Sequence, residues 1–129
     1  MSLQDPHGRR INYLRLSVTG RCNLNCRYCR PPGGEGGESP GEMLSDGDLL
    51  LLARAAVGLG IEKVRITGGE PLLRKGIVRL LSRIGNIPSL RKLVLTTNGL
   101  LLKDMAADLR QAGVKSLNVS LDSLVPERF

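Results

Sequence analysis

Tryptophan is absent, and the only aromatic residues are Tyr13, Tyr28 and Phe129. A chain so poor in rings has no stacking platform of the kind used by single-stranded nucleic-acid binders. The excess of 19 Lys and Arg over 12 Asp and Glu therefore does not by itself indicate DNA or RNA. Arg54, Lys75, Arg79, Arg83, Arg91, Lys92, Lys103 and Arg110 mostly fall opposite apolar stripes and read as solvated helix surface. No apolar run approaches the roughly 18 residues of a membrane span, and the N-terminus lacks the long apolar stretch of a signal peptide. A cytoplasmic protein is expected, with neither nucleic acid nor membrane as a partner. Histidine occurs once, as His7, and cysteine three times, all between Cys22 and Cys29. An odd, clustered set of thiols without a secretion signal argues against disulfides and for metal or redox chemistry. What remains is ordinary: 129 residues, 41% hydrophobic and 24% charged, the size and composition of one folded domain.

Residues 1–12 are polar, with Pro6 and Gly8, and read as an N-terminal extension to a core spanning 13–129. Strands are predicted at about 13–18, 63–67, 92–96 and 115–121. Between the first two lie the cysteine loop and a stretch rich in Gly and Pro at 31–41, which reads as a mobile loop. Ser45 and Asp46 can cap a first helix with the stripe Leu49, Leu52, Ala53, Ala56 and Leu59. Ile77, Leu80, Leu81 and Ile84 give a second helix, and Leu102, Met105, Ala106, Leu109 and Ala112 a third, ended by Gly113. The order β-α-β-α-β-α-β implies an α/β fold with a parallel sheet and right-handed crossovers. With four strands and open edges, it is expected to be the first part of an incomplete barrel or open sheet, with dimerisation an option at the edges.

Parallel strands buried on both faces read as continuous apolar runs, and these do not. Leu14, Leu16 and Val18 alternate with Arg15 and Ser17, Val64 and Ile66 with Arg65 and Thr67, and Leu117, Val119 and Leu121 with Asn118, Ser120 and Asp122. If the apolar set meets the helices, the other face is polar and carries two arginines. An unpaired guanidinium there is costly, so that face is wet, paired to carboxylates, or built to receive an anion. Internal pairing of Arg65 with Glu70 or Asp122 is the alternative to a charged ligand.

Cys22, Cys26 and Cys29 form a Cys-x3-Cys-x2-Cys pattern on a loop just beyond a strand. Cubane iron–sulfur clusters ordinarily take four thiolates, so three leave one iron open to a small molecule, as a catalytic metal requires. A zinc knuckle completed by His7 is the competing reading.

The cysteine motif with Tyr28 inside it, followed by Gly68-Gly69-Glu70-Pro71 after the next strand, resembles the radical S-adenosylmethionine (SAM) superfamily. Residues 14–19, 65–72, 96–99 and 118–123 resemble one branch of it, the GTP 3′,8-cyclases of molybdenum cofactor (molybdopterin) biosynthesis. The resemblance implies a partial radical SAM barrel of the TIM-like type. It implies a [4Fe-4S] cluster on Cys22, Cys26 and Cys29 whose open iron takes the amino and carboxylate groups of SAM. It also implies an unidentified electron donor and a lyase that converts GTP to (8S)-3′,8-cyclo-7,8-dihydroguanosine 5′-triphosphate through a 5′-deoxyadenosyl radical.

Carried over by motif, Tyr28, Gly69 and Ser120 would contact SAM, and Arg15, Arg65 and Thr96 would contact GTP. A glycine at 69 lets backbone approach closely and exposes a carbonyl to an ammonium. The plainer alternatives are a tight turn at Gly68-Gly69 with Glu70 at a helix N-terminus, and ordinary strand polarity for Thr96 and Ser120. Gly20 and Arg30 stand where the branch ordinarily has an acidic residue and a methionine. The family's barrel continues and ends in a second, cysteine-ligated cluster that receives guanine, so these residues alone are not expected to turn GTP over. A radical SAM enzyme acting on a peptide or other substrate, and an inactive metal-binding fragment, are the competing functions.

Overall fold

A computed structural model describes residues 2–29 and 43–128. The Gly/Pro-rich stretch at 31–41, and with it Arg30, lies outside them. The elements run β1 (Leu3–Gln4), β2 (Arg10–Ile11), β3 (Tyr13–Ser17), α1 (Asp46–Gly58), β4 (Lys63–Thr67), α2 (Ile77–Gly85), β5 (Lys92–Thr97), α3 (Leu102–Gln111) and β6 (Val114–Val119). Strands β3 to β6 form a parallel sheet in sequential order, and among the described residues it is not closed into a barrel. The predicted β-α alternation is present, with β6 starting and ending earlier than 115–121.

Helices α1 and α2 bury apolar residues against one face of this sheet, and α3 adds Leu109, whereas Ala106 of its predicted stripe is exposed. Val64, Ile66, Leu80, Leu81, Ile84 and Leu95 are wholly excluded from solvent there. Removing so much aliphatic surface from water, at about 25 cal/mol per Å2, is the main force holding the layers together. The stripe predicted for α2 is the buried one, Ile77, Leu80, Leu81 and Ile84. That predicted for α1 is rotated: Leu49, Leu50, Ala53 and Val57 are buried, whereas Leu52 and Leu59 are exposed. The four consecutive leucines at 49–52 give the period no phase, and anchoring of Asp46 by Arg74 sets it instead.

Two features depart from the sequence reading. Residues 2–12 are not a featureless extension: β1 and β2 pair antiparallel, Leu3 opposite Ile11, around a turn organised by Asp5. The Asp5 carboxylate accepts from the backbone N–H of His7 and of Arg9 and from Arg9 Nε, and these bonds, those from Arg9 foremost, hold its pKa below the ordinary 3.8. In addition, Leu117, Val119 and Leu121 do not join the core but are exposed, because no described element covers that side of β6.

Register decides what the second face of the sheet presents. Arg15 stands opposite Arg65, which stands opposite Val94, and Thr96 opposite Asn118. Side chains of one row point to one side. The face away from the helices therefore carries Arg15, Arg65 and Asn118, as alternation had it, together with Tyr13, Lys63, Thr96 and the apolar Val94.

Candidate functional site

The loop motifs that the sequence singled out leave the sheet at its carboxyl end, where ligands bind in open and closed α/β sheets. The cysteine loop follows β3, Gly68-Gly69 follows β4, Asn98-Gly99 follows β5, and Ser120 to Asp122 follow β6. Short bonds sew these segments together. Gly69 N–H donates to the Thr19 carbonyl and Glu70 N–H to the Arg21 carbonyl, both at 2.7 Å, and Ser120 N–H donates to the Thr97 carbonyl at 2.9 Å. Tyr28 hydroxyl donates to Asp122 Oδ1 at 2.8 Å, joining the cysteine loop to the end of β6. Between them opens a groove of about 780 Å3 lined by Leu24, Cys26, Arg27, Tyr28, Asp122 and Arg128.

Gly69 is a packing necessity. A Cβ there would lie 2.3 Å from the Arg21 carbonyl oxygen and 2.7 Å from that of Gly20, both backbone atoms. Only hydrogen fits, so the glycine turn and the root of the cysteine loop form one unit.

The three thiols are free; Cys22 and Cys26 are partly buried and Cys29 is exposed. Among the described residues, no group of three His, Cys, Asp or Glu side chains stands together at metal-binding spacing. His7 lies in the β1–β2 turn with its backbone bound to Asp5. The donor set itself has the chemistry of an iron–sulfur site: three thiols on one loop, one of them, Cys22, receiving the Leu24 backbone N–H at 3.4 Å. Soft thiolate donors of this kind select iron–sulfur clusters over hard cations.

On the polar face, Arg65 Nη1 donates to Thr96 Oγ1 at 3.2 Å, while Arg65 Nε is buried with no partner. The guanidinium carbon lies 5.8 Å from the Tyr13 ring centre and Lys63 Nζ 4.7 Å from it, so one ring supports two cations. Neither carboxylate suggested for Arg65 reaches it. Asp122 takes the Tyr28 hydroxyl, and Glu70, 1% exposed, accepts from Thr97 Oγ1, Leu72 N–H and Asn98 N–H. Glu70 thus caps the short turn Pro71–Leu73, as the plainer alternative had it, and also serves as a buried node. Arg15, exposed and directly across from Arg65, adds like charge to like charge, an arrangement that an anion relieves.

The structure thus unites Arg15, Arg65 and Thr96 on one face, and the cysteine loop, Gly69, Tyr28 and Ser120 along one rim. Sequence reasoning missed two polar residues here. Asn98 reaches from β5 to the cysteine loop, with Nδ2 2.7 Å from Asn23 Oδ1. Arg74, nearly buried, donates to the Val18 and Leu44 carbonyls at 2.7 and 2.9 Å and pairs with Asp46 at 2.8 Å. It thereby grips the chain on both sides of the segment that carries the cysteines. Asn98 lay within a motif already noted, whereas nothing in local spacing distinguishes Arg74 from a solvated arginine.

Comparison with known proteins adds the following. The model of the Radical SAM superfamily matches residues 16–128. A protein named GTP 3′,8-cyclase from Geobacter sulfurreducens is 65% identical over 129 residues, covering 100% of this chain and 40% of its own length. One of the same name from Peptoclostridium acidaminophilum is 51% identical over 98% of this chain and 39% of its own. GTP 3′,8-cyclase 2 from Pseudomonas aeruginosa is 53% identical over 98% and 38%. The chain thus spans about two fifths of the length of these relatives.

Proposed function

The chain belongs to the radical SAM superfamily, and on that premise we propose that it is the cluster-bearing portion of a GTP 3′,8-cyclase acting in molybdenum cofactor biosynthesis. The observation that carries the substrate is Arg65: a half-buried guanidinium with an unpartnered Nε, set across from Arg15, suits a polyphosphate better than any carboxylate within the described residues.

On this reading Cys22, Cys26 and Cys29 hold a [4Fe-4S] cluster and leave one iron to SAM. When bound, that pair supplies one-electron cleavage of the sulfonium and the 5′-deoxyadenosyl radical that removes a hydrogen from the ribose of GTP. Gly69 offers its backbone to the methionine ammonium, and its lack of a side chain keeps the cysteine loop seated beside it. Tyr28 and Ser120 would contact SAM, and the Tyr28 bond to Asp122 holds the ring in place. Arg15, Arg65 and Thr96 bind the triphosphate, with Tyr13 keeping the Arg65 plane in position. The partners on this reading are GTP and an external electron donor, with a second copy of the chain as a further option. The helices give no sign of membrane insertion, since none among the described residues is long and apolar enough to cross one, and a cytoplasmic site of action accords with the substrate. Turnover belongs to a protein of the relatives' length, whereas these residues alone are expected to bind without converting GTP.

The test is anaerobic reconstitution with iron and sulfide, expected to give about four of each per chain. Uptake of zinc alone under the same conditions overturns the cluster. In a protein of the relatives' length, Arg65→Ala and Arg15→Ala are each expected to weaken GTP binding at least about tenfold, the loss of one charge-assisted contact. Unchanged affinity moves the proposal to another radical SAM substrate.

A further inference from the structure

Asn98 sits at the carboxyl end of β5 with its backbone N–H and both side-chain polar atoms engaged. Its backbone N–H donates to Glu70 Oε2 at 2.7 Å, and Glu70 is held in turn by Thr97 Oγ1 at 2.7 Å and Leu72 N–H at 3.1 Å. Its Oδ1 accepts the Leu100 N–H at 3.1 Å. That bond orients the carboxamide, because an N–H needs the oxygen and not the nitrogen. The Nδ2 group is thereby turned onto the cysteine loop, where its neighbours are Asn23 Oδ1 at 2.7 Å and Cys22 Sγ at 4.0 Å. The sulfur contact is at the long end for N–H to sulfur, and Leu24 N–H already donates to the same atom at 3.4 Å.

We propose that Asn98 is a positioning residue for the redox step: it holds an N–H donor against the Cys22 thiolate and so raises the reduction potential of the cluster bound there. This rests on the reading of Cys22 as a cluster ligand. Reduction adds negative charge that spreads onto the ligating sulfurs, and a donor aimed at one of them favours the reduced form more than the oxidised. The Leu100 N–H holds the carboxamide and Glu70 holds the backbone that carries it, so the donor is preorganised. The arrangement also ties the loop after β5 to the loop after β3 through a single side chain.

The experiment compares the reconstituted protein with Asn98→Asp and Asn98→Ala. Iron and sulfide content is measured first, then the midpoint potential by redox titration and the electron paramagnetic resonance spectrum of the reduced state. Asn98→Asp presents oxygen where the donor was, so a lower potential than in the parent protein is expected, with Asn98→Ala shifted the same way by less. Potentials and g-values identical to the parent in both fully loaded variants overturn the inference and leave the cluster assignment standing. Failure of the parent protein itself to load iron and sulfide overturns both. Should the variants fold by circular dichroism but load poorly, Asn23→Ala gives the reading, because it removes only the exposed partner of Nδ2. A smaller shift of the same sign then supports the assignment, and an unchanged spectrum and potential overturn it.

Discussion

At the scale of single residues, Gly69 makes the sharpest demand. Its neighbours are backbone atoms of Gly20 and Arg21, which cannot rotate away as a side chain would, so Gly69→Ala must push the cysteine loop off the sheet. A cost of about 1 to 3 kcal/mol is expected from such overpacking, measurable as a lower urea midpoint with unchanged slope. Tyr28 gives a prediction in pH. Its hydrogen bond to the Asp122 carboxylate, with burial and the nearby Cys26 adding to it, raises the phenol above its ordinary 10.0. The folded state thus prefers the protonated ring, so this contribution is intact below pH 10.0 and is lost as pH rises through the higher folded value. Asp122→Asn should bring the Tyr28 titration, followed by ultraviolet absorbance, back down. Alternation alone found Arg15 and Arg65, because a charge at every second position of a strand can point only one way. Glu70 was harder to read. A carboxylate after a strand resembles a simple helix start, and only the fold shows that its second oxygen binds Asn98 in the loop after β5.

Elements depend on how their ends are tied. The N-terminus of α1 is a capping box: Ser45 Oγ accepts the Asp48 N–H at 3.1 Å, and Asp48 Oδ2 accepts the Ser45 N–H at 3.2 Å. Bonds from the Ser45 side chain and then its backbone hold Asp48 below the ordinary 3.8. Its contribution is therefore present above that value and fades as pH falls through the lower folded one. Ser45→Ala is expected to cost about 1 kcal/mol at neutral pH and to flatten the acid end of the stability profile followed by circular dichroism. Arg74→Met is a larger change. It leaves the Val18 and Leu44 carbonyls unsatisfied and removes the buried partner of Asp46, to which Arg79 at 3.8 Å is an exposed substitute. A loss of about 3 kcal/mol in denaturant unfolding is expected. The long elements were legible because apolar period and glycine stops agreed, as in α2. The β1–β2 hairpin was not, since two-residue strands show no period and Asp5, not a sequence pattern, closes the turn. The exposure of the leucine and valine of β6 was not legible for a related reason: alternation tells which side a residue takes, never whether anything lies there.

Over the whole molecule, sheet order and the location of the site followed from the β-α alternation, because right-handed crossovers leave few arrangements and all loops after strands gather at one end. The formal net charge of +7 acts in the same direction as the paired arginines. Binding of inorganic triphosphate is accordingly expected to weaken several-fold as ionic strength rises from roughly 0.05 M to 0.5 M, with a smaller change in Arg65→Ala. Calorimetry across that range checks it; equal salt dependence in both proteins would place the attraction elsewhere on the surface.

Glu62 lies at the opposite pole. Its backbone receives Arg91 and Lys92 N–H and donates to the Asn12 carbonyl, and its carboxylate meets Arg10 at 2.7 Å. The hairpin is thereby moored beneath the strands, a full sheet length from the thiols. A tether attached to the hairpin would hang from the foundation and leave the rim that carries the cysteine loop unobstructed.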